Sequence, residues 1–270
     1  MNPMRQIVQG SASPMANLFY YSPRLRCYQG KPSGEGWITG EELLLPFEGR
    51  FQHLLTELGH QMNTTNRKII AASFALRYGW SAGVPIGIYM TYGKMVDVSV
   101  CNISLKFSST SLYENYSFHD MNTLETIMGE KPVDATTVAS ELYKQTAPIV
   151  QELHTWSRFS KRAIWSMIVS SWSSQCIDMA ESALDDRNLG YELAEKILRY
   201  NPDLYKNKPV FYSVQHGETR RIFHKRYGCC LYYIGPDRGF CTSCPLIDDE
   251  ERAERSYQYL REMQCSETEH

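Results

Sequence analysis

Four of the eight cysteines in this chain crowd into one stretch near its C-terminal end. The stretch reads His224-Lys-Arg-Tyr-Gly-Cys229-Cys230-Leu-Tyr-Tyr-Ile-Gly-Pro-Asp-Arg-Gly-Phe-Cys241-Thr-Ser-Cys244-Pro-Leu, a C-C-x10-C-x2-C spacing. Thiols this close in sequence, with Gly228, Gly235, Pro236 and Gly239 to bend the backbone, can converge on a single centre. Cys27, Cys101, Cys176 and Cys265 are scattered and read as small core or surface residues. The opening MNPMRQIVQGSASPMANLF has no apolar core of the signal-peptide kind. A reducing compartment is therefore expected, where clustered cysteines serve metal or redox chemistry more often than disulfides.

Four thiolates suit zinc or an iron–sulfur cluster. Structural zinc normally uses two separated C-x2-C knuckles, whereas here the first pair is adjacent and neighbouring side chains diverge. The longer body of a [2Fe–2S] rhomb accommodates divergent sulfurs better. A Rieske centre needs two histidines close to its cysteines, and none lies between Cys229 and Cys244. On spacing, zinc and a cluster both stay open, with a disulfide pair as the third option.

The rest of the chain sets the scaffold. At 270 residues with 43% hydrophobic and 21% charged residues, it has enough apolar material for a sizeable core. Lys and Arg number 28 against 30 Asp and Glu, a balance that argues against a nucleic-acid partner. No uncharged run supplies the ~20 apolar residues of a membrane span. Spacing predicts helices over 50–62 and 66–78, then strands at Ile86–Met90 and Val96–Val100 joined by a turn at Gly93-Lys94. Ile103, Leu105 and Phe107 extend the alternation into a third strand. A polar stretch, 108–134, marks a boundary. Beyond it come a long helix kinked or split at Pro148, a second helix with Ile164, Ile168, Trp172 and Cys176 on one face, and a third over 181–199. A short strand at Pro209–Val214 and a charged tail helix packing through Tyr257, Leu260 and Met263 complete the pattern. The expected class is α+β: an N-terminal mixed α/β part with an antiparallel hairpin or meander (1–125), then a C-terminal helical bundle (126–270) carrying the cysteine segment at 224–246.

The segment CCLYYIGPDRGFCTSCPL resembles the C-terminal signature of the FhuF-like ferric-siderophore reductases. The likeness includes Tyr232 and Tyr233 after the cysteine pair, Gly239 shortly before the third cysteine, Pro245 after the fourth, and Lys225 and Arg226 ahead of the pair. It covers about the last sixth of the chain. The resemblance implies that Cys229, Cys230, Cys241 and Cys244 hold one [2Fe–2S] cluster and carry the electron in one-electron reduction of siderophore-bound Fe(III). It also implies a cytoplasmic protein, with loose association at the inner face of the membrane allowed.

On this reading the ligand is a ferric siderophore, of hydroxamate or citrate type in the first place. The chain contains no G-x-G-x-x-G, so electrons are expected from an external donor such as a ferredoxin or an NAD(P)H-dependent reductase. Arg220, Arg221, His224, Lys225, Arg226 and Arg238 surround the cysteines in sequence. A basic collar drawn from them, chiefly His224, Lys225, Arg226 and Arg238, is expected to attract the anionic complex. The alternative is that these cations are simply solvated or pair with the acidic tail at 248–251. Arg77, Trp80 and the Gly83–Val100 stretch are candidates for the cleft. Two rival classes remain: a siderophore-binding or biosynthesis-related protein with structural zinc, and an iron–sulfur redox sensor.

Overall fold

Residues 164–173 are buried in an unbroken run, which a helix tolerates only where neighbours enclose it on every side. The computed structural model describes residues 26–32, 34, 36–44, 49–106, 115–119, 132–235 and 238–268. In chain order the elements are β1 (Arg26–Gln29), β2 (Trp37–Thr39), α1 (Gly40–Leu44), α2 (Arg50–Gln61), α3 (Arg67–Tyr78), α4 (Gly83–Tyr92), β3 (Ile103–Lys106) and β4 (Asn115–Phe118). There follow α5 (Ala135–Ser157), α6 (Lys161–Leu184), α7 (Arg187–Arg199), α8 (Pro202–Tyr205), β5 (Val210–His216), β6 (Thr219–Lys225) and α9 (Asp249–Thr268). The class is mixed α+β. Among the described residues no helix is long and apolar enough to cross a membrane.

α6 is the helix enclosed on every side, packed by α3, α4, α5 and α7. The sequence suggested a single apolar face; instead its serines fill the positions between apolar residues. Ser173 donates back to the Val169 carbonyl at 2.8 Å, Ser171 donates to the Leu76 carbonyl, and Ser170 meets His224 Nε2 at 2.9 Å. Bonded hydroxyls make serine compatible with a dry interior. Small residues also bring the backbones close: a Cβ added at Gly79 would lie 2.6 Å from Ser171 Cβ.

The stretch read as a hairpin is helical. In α4, Gly83 through Ile88 are all buried, so it shows no 3.6-residue stripe, and the alternation of Ile86, Ile88 and Met90 is incidental. Pro85 stands in the first turn, where its missing N–H leaves no helical bond unmade. Gly93 is the C-cap at φ 66°, its N–H donating to the Tyr89 carbonyl at 2.7 Å. Residues 96–99 form no strand, although Val96 and Val98 are buried.

The first sheet has the order β1-β4-β3-β2, with β1 parallel to β4 and the remaining pairs antiparallel. Phe107 and most of the 108–134 stretch lie outside the described residues. Buried side chains on both sides of that stretch, from Ile38 to Cys230, belong to one apolar cluster. α5 runs unbroken through Pro148, capped by Asp134, which accepts from the Thr137 N–H at 2.8 Å. α7 begins after Asp186, so residues 181–184 belong to α6.

The short strand foreseen near 209–214 is one arm of a hairpin, β5–β6, paired from Val210↔Lys225 to His216↔Thr219 and turned by Gly217 at φ 57°. β6 aims the chain at the cysteines. The β5 arm is held by α9, where Tyr212 Oη meets Ser256 Oγ at 2.8 Å and His216 Nδ1 meets Tyr257 Oη at 2.9 Å. Leu260 is buried there and Met263 Sδ accepts from Arg221, as the tail-helix reading expected.

Candidate thiol site

The cysteine segment closes as a loop. Where β6 ends, the Arg226 N–H donates to the Ser243 carbonyl at 2.9 Å, joining the entry of the loop to its exit. Between them, Gly228 presses its Cα against α6: an added Cβ would collide with the Ser166 hydroxyl and sit 3.3 Å from Met167 Cε. That contact seats the adjacent Cys229-Cys230 pair on the central helix. Leu231 then adopts φ 58°, and its N–H reaches back to Cys229 Sγ at 3.3 Å. At the far end a turn bonds the Cys244 N–H to the Cys241 carbonyl at 2.9 Å.

The thiols meet as two pairs. Cys241 donates to Cys230, and Cys229 lies in hydrogen-bonding contact with Cys244. Cys230 (8% exposed) and Cys244 (2%) face the interior, while Cys229 and Cys241 are half-exposed. Cys230 is the acidic member. The bond from Cys241 and the Arg226 guanidinium hold its pKa well below the ordinary thiol value, and Cys241 is raised in return. Burial, with Cys244 and Cys230 nearby, pushes Cys229 up.

Arg226 is the unexpected centre of this arrangement. Only 3% exposed, it donates through Nη2 to Cys230 Sγ at 3.4 Å and to Cys241 Sγ, and its buried Nε has no hydrogen-bond partner among the described residues. A second buried arginine, Arg252 of α9 (2% exposed), donates to the carbonyls of Cys244, at 2.8 Å, and Ile247. Arg255 reaches the Phe240 carbonyl at 2.7 Å. The tail helix therefore holds both ends of the C-x2-C turn. Sequence reading missed Arg252 and Arg255, which lie in a run of alternating charge that resembles a solvated face. That Arg252 shares the docked face of α9 with the buried Ser256 and Leu260 is visible only once the helix is packed.

The expected basic collar is divided among separate tasks. Lys225 pairs with Asp249 at 3.0 Å, and Arg221 with Glu181 at 2.8 Å. His224 turns inward to Ser170, and burial, with Arg226 and Arg187 nearby, pushes its pKa down to about 4, so it is neutral at pH 7. Arg238 donates to the Met62 carbonyl at 2.9 Å and stacks 4.3 Å over the Tyr232 ring. Arg220 is exposed beside a 320 Å³ cavity lined by Glu181, Asp185, Asp186 and Arg187. Lys225 thus pairs with the acidic tail, Arg221 with a carboxylate of α6 instead, and Arg226 is an interior cation. Cys101 is exposed and Cys176 is buried, away from the loop, while the side chains of Cys27 and Cys265 lie outside the description.

The donor set fits a thiolate-bound group in its chemistry: four soft sulfurs, two of them interior, beside a guanidinium whose burial demands an anion. The sulfurs stand pairwise rather than around one point, and among the described residues no three His, Cys, Asp or Glu side chains are placed to hold a single metal ion. Tyr227, Tyr232, Ile234, Phe240 and Leu246 leave large apolar surface exposed around the loop. No protein-family model matches the chain, and no curated protein matches it significantly.

Proposed function

We propose that this chain is a ferric-siderophore reductase, with Cys229, Cys230, Cys241 and Cys244 holding a [2Fe–2S] cluster. The observation that carries the reading is the burial of Arg226 against two of four paired thiols in the C-C-x10-C-x2-C loop. A buried cation with sulfur partners marks a place built for negative charge on sulfur. A cluster held there supplies reversible one-electron transfer, which matches the step from Fe(III) to Fe(II).

The protein's own residues do the rest. Arg252 and Arg255 fix the C-x2-C turn from α9, and Gly228 seats the cysteine pair on α6. Cys229 and Cys241 lie at the half-exposed edge, which gives electrons a route in from a separate donor protein and out to substrate. In the overall reaction one electron from the donor reduces the chelated Fe(III). The Fe(II) product is softer and less charged, so hard hydroxamate or carboxylate oxygens release it and take up protons from water. The siderophore itself is unchanged. The cytoplasm, where such a donor is present, is the location this chemistry requires.

The test is metal and sulfide analysis of anaerobically purified full-length protein, with visible and electron paramagnetic resonance spectra before and after reduction. Equal iron and acid-labile sulfide, and Fe(II) release from ferric hydroxamate or ferric citrate that is lost in a folded Cys241→Ser variant, are expected. Zinc in place of iron, or unchanged turnover in that variant, overturns the proposal. Turnover absent with every ferric siderophore despite a reducible cluster favours the redox-sensor class instead.

A further inference from the structure

Among the cations around the loop, Arg226 differs in what it faces. Lys225, Arg221, Arg187 and Arg252 each meet a carboxylate. The Arg226 side chain has only sulfur partners among the described residues, and one of its donors has none. Its backbone N–H is bonded to the Ser243 carbonyl at 2.9 Å, and the residue is 3% exposed. His224, whose pKa burial and Arg226 depress, is neutral at pH 7 and adds no second cation beside it. Burying a guanidinium is costly unless negative charge is held beside it. A fold carries that burden where an anion belongs.

We infer that Arg226 is a positioning residue, the internal counter-ion that sets the reduction potential of whatever the four sulfurs hold, with Nε kept for an acceptor that the bound group brings. This rests on the proposed function, because it concerns the same four sulfurs. Accepting an electron adds one negative charge to a site that already carries thiolates. A fixed cation hydrogen-bonded to two ligand sulfurs stabilises the more negative state more than the less negative one, and so raises the potential. Arginine offers what lysine lacks: Nη2 alone serves both Cys230 and Cys241, and the buried Nε remains as a second, separate donor. The same contact limits how reducing the site becomes, and therefore which ferric chelates it reduces.

The experiment uses the full chain, anaerobically reconstituted with iron and sulfide, as wild type, Arg226→Lys and Arg226→Met. Three quantities are measured: iron and sulfide per chain, far-UV circular dichroism, and midpoint potential by titration followed in the paramagnetic resonance spectrum. The Met variant is expected to lose at least tenfold in its equilibrium constant for accepting an electron, about 59 mV downward for a one-electron couple. The Lys variant is expected to fall between, because it keeps the charge and loses the additional Nε donor. Where the Met variant folds but loads no cluster, loading retained by Lys with a lowered potential supports the counter-ion role. Potentials unchanged across loaded variants, or loading lost equally in both with the fold intact, overturn it as a packing role only. A wild type that takes up neither iron nor sulfide sinks the proposed function first, and this inference with it.

Discussion

Gly228→Ala tests how the cysteine loop is seated. The added methyl group meets the Ser166 hydroxyl, with Ser166 Cβ at 3.1 Å and Met167 Cε at 3.3 Å. The Met167 terminus is flexible and can retreat. Ser166 cannot, since it is fully buried on α6 and its hydroxyl donates to the Ala163 carbonyl at 2.7 Å. Overpacking of this kind costs about 1–3 kcal/mol, so about 2 kcal/mol is expected. At about 2–4 °C per kcal/mol for a chain of this size class, Tm falls by about 4–8 °C. Ser166→Ala removes the obstructing oxygen at a loss of about 1 kcal/mol for its hydrogen bond. The double variant should then be nearly as stable as Ser166→Ala alone, a favourable coupling of about 1–2 kcal/mol, as neighbours in contact show. Urea unfolding of reduced, metal-free protein with a constant m value gives the four free energies of the cycle. Iron and sulfide loading should fall in Gly228→Ala and recover in the double variant, because Cys229 and Cys230 follow directly. A single-variant effect below about 0.5 kcal/mol, or strict additivity, refutes the close approach of loop and helix.

Two further outcomes follow from buried groups. His224 has a folded pKa of about 4 against an ordinary 6.5, so the unfolded chain binds its proton more tightly. Its contribution is complete above about pH 6.5 and is lost as pH falls toward 4, a total of about 3 kcal/mol at about 1.4 kcal/mol per unit. Urea midpoints from pH 7 to 4 should therefore fall more steeply in wild type than in His224→Gln, and parallel slopes would remove the claim. Arg252→Met frees the carbonyls of Cys244 and Ile247 and should lower stability by about 3–6 kcal/mol, since hydrogen bonds from a charged donor are worth about 1.5–3 each. The Cys244 thiol, 2% exposed, should react faster with a disulfide reagent in that variant; equal rates would show that α9 does not clamp the turn.

What could be read from residue order alone was whatever depends on near neighbours along the chain. Helices α2, α3 and α7 announce themselves by their apolar stripes, and Asn66, Asp134, Ser160 and Asp186 cap helices as their residue types suggest. The cysteine loop is likewise local, since its spacing and bends lie within one short stretch. α4 escaped because a helix buried all round has no stripe, yet Pro85 in its first turn and Gly93 past its end were the available signs. β6 escaped because Thr219-Arg-Arg-Ile-Phe-His-Lys is a charged strand whose partner and covering helix supply its stability.

Assembly decided the fate of each charge. Along the chain Lys225 and Arg226 are adjacent and both cationic, but Lys225 closes β6 while Arg226 opens the cysteine loop. One meets Asp249 on α9 and the other enters the sulfur nest. Whether a cation is solvated, paired or buried depends on what surrounds it from distant segments, and no spacing rule along one stretch encodes that. The candidate thiol site was thus legible in the cysteine pattern, whereas its electrostatic surroundings came from packing a hairpin, a buried serine-rich helix and a charged tail helix around it.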